Sequence, residues 1–339
     1  MKKALSLLSW KDAHYITIKS TQRMFTDNEF DTVYFSEYMK EPTSEKDKGL
    51  ARIYSDLEEI LNRHGYKARL LPYRHGKLGF GQLSIWCRDY MPIPVANGKN
   101  ILFRYKPDYL KSDRYKPYRP DAKRICDTLR IEVIDMSQDN GNGINLDGGN
   151  IVRCGDKVVM TRKIFRENKQ GEEELTRKLE ELFGAKVILL DWDKRECYGH
   201  TDGILRYAGG DKIILQTYGN LVKYKKDKEF DKKFRDELSK YFEILPLDFS
   251  GIDKSRISPD DKDYRKRDHR WAYINFLQLR DLIIIPEFEN TPESNEKAKE
   301  TIQKYVGDKY TVESVEATDL VRYGGAFNCA SWTARADAL

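Results

Sequence analysis

The strongest constraint on the fold of this chain is a unit of helix, strand and β-hairpin that occurs five times. Each copy begins with apolar residues at helical spacing and continues with a short run of apolar and β-branched residues, which is typical of a strand. The predicted helices span residues 46–63, 120–130, 171–183, 227–242 and 293–306. The predicted strands span residues 68–72, 131–136, 186–191, 243–248 and 310–315. Corresponding positions in successive strands lie 54 to 68 residues apart, which indicates one repeated supersecondary motif.

A predicted hairpin follows each of the first four strands, whereas the fifth copy lacks its return strand. The hairpins at 150–160 and 204–215 carry Gly-Asp and Gly-Gly-Asp at the bend, as tight turns require. Residues 32–38 read as a strand with no helix before it, so we expect them to supply the missing strand. The prediction is an α/β fold, a five-fold pseudo-symmetric α/β propeller closed by the N-terminal strand, in a single domain over residues 1–339. An open α/β sheet is the alternative, and the even spacing favours the ring.

The loop between each strand and its hairpin carries the candidate catalytic residues. The first loop, WCRDYMP, contains Asp89, and the second, NLDGGN, contains Asp147. The third loop, CYGHTDG, contains His200 and Asp202, and the fifth, GGAFNC, contains Cys329. Because equivalent loops of a radial fold meet near its axis, we expect these side chains to converge.

The converging side chains have a common chemical logic. A cysteine and a histidine, with a carboxylate that orients the imidazole, form a nucleophilic constellation. Further carboxylates in an enclosed site repel each other unless a cation binds among them. A guanidinium group is planar, permanently charged and able to donate paired hydrogen bonds to carboxylates. The pattern therefore predicts a site that binds a guanidinium group and attacks its central carbon, with the charge-rich fourth loop, residues 258–271, at the rim or on the substrate side.

Four motifs, in this order, resemble the guanidine-modifying enzymes of the pentein fold, in particular the agmatine deiminase and Porphyromonas-type peptidyl-arginine deiminase family. The motifs are W-x-R-D-x-x-P at 86–92, D-G-G-N at 147–150, H-x-D-G at 200–203 and G-G-x-x-x-C at 324–329. Residues 272–288 are also similar to the penultimate hairpin of that family. The resemblance covers residues 31–332 and implies the pentein propeller fold together with deiminase activity.

The resemblance also implies a role for each residue. Cys329 attacks the guanidinium carbon as a thiolate, and His200 protonates the departing ammonia and then activates water. Asp147 orients His200, while Asp89 and Asp202 hold the guanidinium nitrogens. The implied products are a ureido compound and ammonia, and the implied reaction uses no metal and no cofactor.

The expected substrate-binding residues include one aromatic side chain and three glycines. Trp86 lies in the first motif, where we expect it to support Asp89 and to line the substrate. Gly148, Gly149 and Gly325 are expected to allow the backbone to approach the substrate closely.

The chain departs from the agmatine-type pattern at three places. Asp147 stands where that pattern has Glu, and Ala326 and Asn328 stand where it has Asn and His. The Trp-rich and A-W-G-G segments of the agmatine enzymes are replaced by residues 103–120, which are rich in Tyr and Lys. We therefore expect the reaction type to be retained. The substrate stays open among agmatine, free arginine and peptidyl arginine, with a small metabolite favoured.

Two residues near the motifs have competing interpretations. Cys87, beside Asp89, is a rival nucleophile, although packing is the preferred account of it. His200 and Asp202, with Cys197 nearby, have the residue types of a metal site. The sequence lacks the further spaced ligands of a closed zinc site, so we expect no metal.

Four other residues are expected to be structural. Arg88 is expected to pair with a carboxylate, and His269 is expected at the surface. Cys126 and Cys154 lie in apolar helix and strand segments, so we expect both in the core.

Composition limits the classes of partner. The net charge is only +5, and charged runs alternate in sign, so the sequence offers no basic stripe for nucleic acid. We expect no membrane span and no cleaved leader, and the five cysteines show no pairing pattern. These features favour a cytoplasmic protein that binds a small guanidino substrate, and they leave a homodimer open. The functional alternatives are an amidinotransferase of the same fold and a non-catalytic binding protein.

Overall fold

The strands of the protein are short and build small sheets. The computed structural model describes residues 24–72, 84–95, 100–138, 143–192, 194, 198–216, 225–248 and 263–339. The strands are β1 (Thr32–Ser36), β2 (Ala68–Leu71), β3 (Ile93–Pro94), β4 (Asn100–Phe103), β5 (Val133–Met136), β6 (Val152–Cys154), β7 (Lys157–Thr161), β8 (Lys186–Leu190), β9 (Leu205–Gly209), β10 (Lys212–Gln216), β11 (Glu243–Leu247), β12 (Leu277–Gln278), β13 (Leu282–Glu287), β14 (Thr311–Glu316) and β15 (Ser331–Ala334). In the described residues they form five three-stranded sheets.

Four of the sheets are built from consecutive strands. Their orders are β3-β4-β5, β6-β7-β8, β9-β10-β11 and β12-β13-β14. In each, the first two strands form an antiparallel hairpin and the third runs parallel to the middle strand. Gly155, Gly209 and Gly210 have positive φ at the bends of the second and third hairpins, as the predicted tight turns require. The predicted bend of the first hairpin, at residues 96–99, lies outside the described residues.

The fifth sheet joins strands from opposite ends of the chain. Its order is β15-β1-β2, and Thr32 lies opposite Ala334 while Phe35 lies opposite Ser331. The prediction that residues 32–38 supply the missing strand of the fifth copy is therefore confirmed. The closure of the five sheets into a pseudo-symmetric ring stays a prediction.

All five predicted helices are present, at Lys48–Arg63, Ala122–Leu129, Glu172–Phe183, Lys225–Leu238 and Pro292–Val306. Asp121 caps the second of these helices by accepting a hydrogen bond from Arg124 N at 3.1 Å. The third helix ends at Gly184, whose φ of 58° is left-handed. Shorter α-helical segments are Glu37–Lys40, Cys87–Tyr90, Lys163–Glu167, Thr318–Val321 and Phe327–Ala330. Within the described part of the chain, no helix combines the length and apolar character that crossing a membrane requires.

The long helices pack their apolar faces against the sheets. In the first helix, Leu50, Ile53, Leu57 and Leu61 are each at most 1% exposed and share one core with Ile302 of the last helix. Burying an aliphatic side chain of this size stabilises the fold by about 1.5–3 kcal/mol. The apolar residues that recur at helical spacing in the sequence therefore form the buried face of this helix.

One short helical turn precedes the first hairpin strand of every repeat. These turns are Cys87–Tyr90, Gly148–Asn150, Thr201–Gly203, Arg270–Ala272 and Phe327–Ala330. Four of them contain or directly follow the candidate catalytic residues of the sequence analysis. The repeat thus brings one chemically distinct turn from each unit to the same end of its hairpin.

Trp332 in β15 tests how strongly the fifth sheet is tied to the first repeat. It is 1% exposed, and its Nε1 donates to the Pro92 carbonyl at 2.7 Å. We expect Trp332→Phe to lower the free energy of unfolding by about 1–3 kcal/mol, because a buried carbonyl loses its donor. Trp332→Ala should cost about 3–5 kcal/mol.

Urea denaturation followed by circular dichroism measures both changes. Tyr118→Phe is the control. Because Tyr118 is 41% exposed, this substitution should change the free energy of unfolding by less than about 0.5 kcal/mol. A Trp332→Phe protein as stable as the wild type would contradict the inference that the hydrogen bond from Trp332 to the Pro92 carbonyl stabilises the fold.

Candidate active site

The turns of four repeats bring the predicted catalytic residues together. His200 Nε2 lies 3.0 Å from Asp147 Oδ2, and His200 Nδ1 lies 3.7 Å from Asp89 Oδ1. Cys329 Sγ lies 3.4 Å from Asp202 Oδ2. All five side chains are less than one tenth exposed. The cluster therefore has one thiol, one imidazole and three carboxyl groups in a buried site.

His200 is held between two carboxyl groups. Burial alone lowers the pKa of an imidazole, but the charges of Asp89 and Asp147 and the hydrogen bond to Asp147 outweigh it. The pKa of His200 is raised to about 10. The imidazole is therefore protonated at neutral pH, and its Nε2–H donates to Asp147. The shorter side chain at position 147 does reach the imidazole.

Tyr109 contacts the same oxygen of Asp147 as His200 does. Its hydroxyl donates to Asp147 Oδ2 at 2.9 Å. Its ring lies edge-on to Tyr198, with centroids 5.0 Å apart, and under Lys163 Nζ at 4.8 Å. Tyr109 belongs to the Tyr-rich and Lys-rich segment at 103–120, for which the sequence analysis had no role. Because Asp147 accepts from two donors at one oxygen, its carboxylate is fixed relative to the imidazole.

Asp89 lies at the point where the acid groups of three repeats meet. Its Oδ1 accepts a hydrogen bond from Gly149 N at 3.0 Å. Burial raises its pKa, the charge of His200 lowers it, and the charges of Asp147 and Asp202 raise it again. The result is a pKa of about 7, so this carboxyl group changes protonation state near neutrality.

Cys329 lies in the short helix Phe327–Ala330. Burial raises the pKa of its thiol well above the ordinary value, and the charges of Asp202 and Asp89 raise it further. The thiol is therefore protonated and donates to Asp202. Asn328, which departs from the agmatine-type pattern, donates to the same Asp202 oxygen at 2.7 Å.

Two carboxylate oxygens of the site are buried without a hydrogen-bond donor in the described part of the chain. They are Asp147 Oδ1 and Asp202 Oδ1. Buried polar atoms are rarely left without partners, and an unpaired carboxylate oxygen is especially costly. The site therefore has spare acceptors that suit a cation with several N–H groups.

The glycines of the motifs make room for neighbouring protein groups. A Cβ at Gly149 would lie 2.6 Å from His200 Nδ1 and 2.7 Å from Asp89 Oδ1, and one at Gly148 would lie 2.0 Å from the Arg88 carbonyl oxygen. The two glycines therefore let the second-repeat turn pack onto the first-repeat turn and the imidazole. Their predicted approach to the substrate stays a prediction.

Gly325 has the corresponding role beside the thiol. A Cβ there would lie 2.8 Å from Trp86 Cζ3 and 3.0 Å from Cys329 Cβ. The Trp86 ring is thus packed against the backbone that leads to Cys329. Trp86 supports Asp89 through its backbone, because Asp89 N donates a hydrogen bond to the Trp86 carbonyl at 3.1 Å.

The sequence matches the model of the Porphyromonas-type peptidyl-arginine deiminase family over residues 55–334. The chain belongs to this family. The predictions of this family and of a deiminase are thereby confirmed. A comparison with curated protein sequences gives no match.

Solved structures similar to this chain include two agmatine deiminases. The enzyme of Enterococcus faecalis has a TM-score of 0.70 at 14% identity, covering 93% of this chain and 96% of its own. The C. jejuni enzyme has a TM-score of 0.65 at 16% identity, covering 92% and 95%. An amidinotransferase from Microseira wollei has a TM-score of 0.60 at 14% identity, covering 93% and 97%. At these identities the likeness shows a shared α/β fold over almost the whole chain.

Two expectations about neighbouring residues are wrong. Arg88 donates through Nε to the Asn328 carbonyl at 3.3 Å and through Nη2 to Thr333 Oγ1 at 3.2 Å, rather than to a carboxylate. His269 is completely buried rather than at the surface. Its burial is tolerated because its Nε2 has a hydrogen-bond partner, the Tyr264 carbonyl at 2.6 Å. Burial lowers the pKa of His269, which keeps its ring neutral.

Three of the other cysteines, Cys87, Cys126 and Cys154, are packing residues, as expected. Cys87 is fully buried, 3.3 Å from the Tyr90 hydroxyl, and burial raises its pKa to about 12. Cys126 and Cys154 are likewise in the core. Cys197, named in the metal interpretation, lies outside the described residues.

The fourth repeat contributes a residue that the sequence analysis missed. Asn275 accepts hydrogen bonds at Oδ1 from Ala326 N and Cys329 N, at 3.0 and 3.2 Å. It lies between the turn Arg270–Ala272 and the strand β12. The available signal was an amide, Asn275, near the start of the run AYINFLQL, which also contains Gln278.

Gly149 offers a direct test of this packing. We expect Gly149→Ala to lower kcat/KM for ammonia release at least about tenfold, because the new methyl group displaces His200 or Asp89 and small misplacements are costly. The matched control is Gly171→Ala, where an added Cβ meets no atom within 4 Å. Both proteins should retain the wild-type melting temperature within a few degrees, and equal activity of the two variants would refute the assignment.

Proposed function

We propose that this deiminase hydrolyses a guanidinium substrate, either agmatine or an arginine derivative, to a ureido product and ammonia through a covalent intermediate on Cys329. The observation that carries this proposal is the buried cluster of thiol, imidazole and three carboxyl groups with two unpaired acceptor oxygens. A guanidinium group supplies both the charge and the N–H donors that this cluster lacks. The family membership supports the same reaction class.

Binding prepares the nucleophile. Asp89 and Asp202 accept hydrogen bonds from the guanidinium nitrogens, with the cation beside Cys329 Sγ. The positive charge opposes the effect of the two carboxylates, which raise the pKa of the thiol in the protein alone. The thiol releases its proton to solvent, and the thiolate forms a bond to the guanidinium carbon.

His200 then supplies the proton that the leaving group needs. The protonated imidazole donates to one nitrogen of the tetrahedral intermediate, and the carbon–nitrogen bond breaks to release ammonia. The neutral imidazole next takes a proton from water, whose oxygen attacks the amidino-thioether carbon. Collapse of this second intermediate breaks the carbon–sulfur bond and forms the ureido carbonyl. Asp147 and Tyr109 keep the imidazole oriented throughout.

Three further features are proposed together with the reaction: the fold around the site, the substrate and the pathway of its product. We place the reaction on a closed five-fold pseudo-symmetric propeller, with the hairpin turns around its axis. Agmatine is the first substrate to test, since two of the similar structures are agmatine deiminases. With agmatine the product would enter putrescine biosynthesis in the cytoplasm. Two alternatives belong to the same experiments. One is a homodimer, and the other is an amine instead of water as the acceptor of the amidino group.

Substitution of Cys329 tests the proposed reaction. We expect Cys329→Ser and Cys329→Ala to reduce ammonia release from agmatine, arginine and arginyl peptides by at least about a thousand-fold, since loss of a nucleophile removes most of the acceleration. A haloacetamidine probe should label the wild-type protein at Cys329, as located by mass spectrometry. The control Cys126→Ala, in the core away from the site, should keep both activity and label.

Three results would count against the proposal. Undiminished ammonia release by both Cys329 variants would exclude it as the nucleophile. Absence of a label at neutral pH in a folded wild-type protein would favour a binding protein. Formation of a new guanidino compound when an amine is added would instead identify an amidinotransferase.

The pH dependence of binding tests the role of Asp89. Its pKa of about 7 means that it becomes protonated as the pH falls below neutrality, and a protonated carboxyl group loses its attraction for a cation. We expect the affinity of Cys329→Ser for the guanidinium substrate to be constant above about pH 8 and to fall by up to about tenfold per pH unit below about pH 6. Isothermal titration calorimetry between pH 5 and pH 9 measures this, within the range where the protein stays folded.

Two variants define the source of the dependence. Asp89→Asn in the Cys329→Ser background should weaken binding and flatten the pH profile. Asp127→Asn, an exposed carboxylate on the helix Ala122–Leu129, should leave the profile unchanged. A profile that remains steep without Asp89 would assign the titration to another group.

A further inference from the structure

Asn275 makes four hydrogen bonds that join the loop of Cys329 to the loop of Asp202. Its Oδ1 accepts from Ala326 N at 3.0 Å and from Cys329 N at 3.2 Å. Its backbone carbonyl accepts from Asn328 N at 3.0 Å. Its Nδ2 donates to the Asp202 carbonyl at 3.3 Å. The residue is 2% exposed, so water does not compete for these bonds.

The bonds to the Cys329 loop satisfy N–H groups that a short helix cannot satisfy itself. The first N–H groups of any helix lack intrahelical acceptors, and Phe327–Ala330 is only one turn long. Asn275 provides acceptors for Asn328 N and Cys329 N from another repeat. The direction of the Cys329 side chain is therefore set by the fourth repeat.

The hydrogen bond from Asn275 Nδ2 to the Asp202 carbonyl fixes Asp202, the residue proposed to hold the guanidinium beside Cys329. Asp202 and Cys329 lie 127 residues apart in sequence, yet Asp202 Oδ2 and Cys329 Sγ are 3.4 Å apart. A guanidinium held by Asp202 presents its carbon to sulfur only if this spacing is kept within a fraction of an ångström. The amide also acts on the thiol directly, since its hydrogen bond lowers the pKa of Cys329 against the larger raising effects of burial, Asp202 and Asp89.

We propose that Asn275 is a positioning residue for the reaction: it sets the spacing of Cys329 and Asp202, and its neutral amide allows the thiolate to form beside it. This inference rests on the proposed function, because it takes Cys329 as the nucleophile. It also gives the fourth repeat a part in the site, so that all five repeats contribute. Gln, which is one methylene longer, does not fit the same three side-chain bonds.

Asn275→Asp separates this role from simple packing. The aspartate has the same shape and keeps acceptors for Ala326 N and Cys329 N, but it replaces the donor to the Asp202 carbonyl with an oxygen. It also adds a negative charge to a thiol already faced by Asp202 and Asp89, with His200 beyond Asp89. The charge of Arg206 acts from β9, and Arg88 binds the adjacent Asn328 carbonyl. The charges of Asp202 and Asp89 have the larger effects on the thiol, and an added negative charge acts in the same direction, so it disfavours the thiolate.

The experiment measures the rate of alkylation of Cys329 by a haloacetamidine from pH 6 to pH 10, together with kcat and KM. For Asn275→Asp we expect the alkylation profile to move upward by at least one pH unit, which appears as an at least about tenfold lower rate at each pH below the wild-type midpoint. We also expect kcat to fall at least a hundred-fold, with a smaller change in KM. Asn275→Ala, which adds no charge, should lower kcat at least ten-fold with the midpoint less displaced. This second variant also keeps the test decisive if the aspartate protein does not fold.

Asn295→Asp is the matched control. Asn295 is also a buried amide whose Oδ1 accepts from a backbone N–H, Phe288 N at 3.1 Å, and whose Nδ2 donates to the Phe288 carbonyl at 3.0 Å. It touches none of the site residues in the described structure. We expect it to lower the melting temperature without moving the alkylation midpoint.

The outcomes distinguish this inference from the proposed function. If the wild-type protein is not labelled at Cys329, the proposed function itself fails. If the wild type is labelled and the folded Asn275→Asp protein keeps its midpoint and kcat, the inference about Asn275 is wrong while the function stands. A midpoint shift of equal size in Asn295→Asp would also overturn it, because the effect would then be one of general destabilisation.

Discussion

The pairing of β1 with β15 is the constraint on which the rest of the structure depends. It joins residues about three hundred positions apart, with Thr32 opposite Ala334, and it completes the fifth sheet. Cys329 lies two residues before β15, so this pairing also fixes where the thiol can be. The Trp332 bond to Pro92 then holds the same strand against the first repeat. A pairing between strands from the two ends of the chain thus helps to fix the geometry of the site.

The second organising feature is the balance of buried charge. Three acids and a histidine lie at the hairpin turns, and Arg88, Arg153 and Arg206 are buried nearby with Asp27. Asp27 accepts from Arg206 at 2.9 Å and lies 3.5 Å from Arg153. The charge of Asp202 also acts on Arg206. Buried charges are tolerated only when others offset them, so these arginines help the fold to accommodate an acidic site.

Much of this architecture could be predicted because it follows from local patterns. Helical spacing identified all five long helices, and the even repeat identified β1 as the partner of the fifth copy. The order of the elements then indicates which loops meet, and for this reason the sequence alone groups Asp89, Asp147, His200, Asp202 and Cys329. A group of residues can be inferred from topology even when no distance between them can.

The errors concern bonds between repeats, which leave no local trace in the sequence. Arg88 was expected to find a carboxylate, but the carbonyl it meets belongs to Asn328, 240 residues later. Asn275 and Tyr109 were not singled out, because an amide within an apolar run and one tyrosine among several carry no mark of their partners. Residue type also indicates that a glycine allows close approach, but it does not identify the approaching group, which at Gly149 includes the His200 ring. Partners of this kind follow only from the packing of one turn on another.

The protonated state of the Cys329 thiol has a consequence for the durability of the protein. Peroxides attack thiolates far faster than thiols, and the usual price of a reactive cysteine is oxidation to sulfenic and then sulfinic acid. In the proposed reaction, burial and two neighbouring carboxylates keep the sulfur protonated until the guanidinium cation binds. The acids that would bind the substrate would then also protect Cys329 from oxidants between turnovers, and the sulfur would be open to oxidation only while the cation is bound.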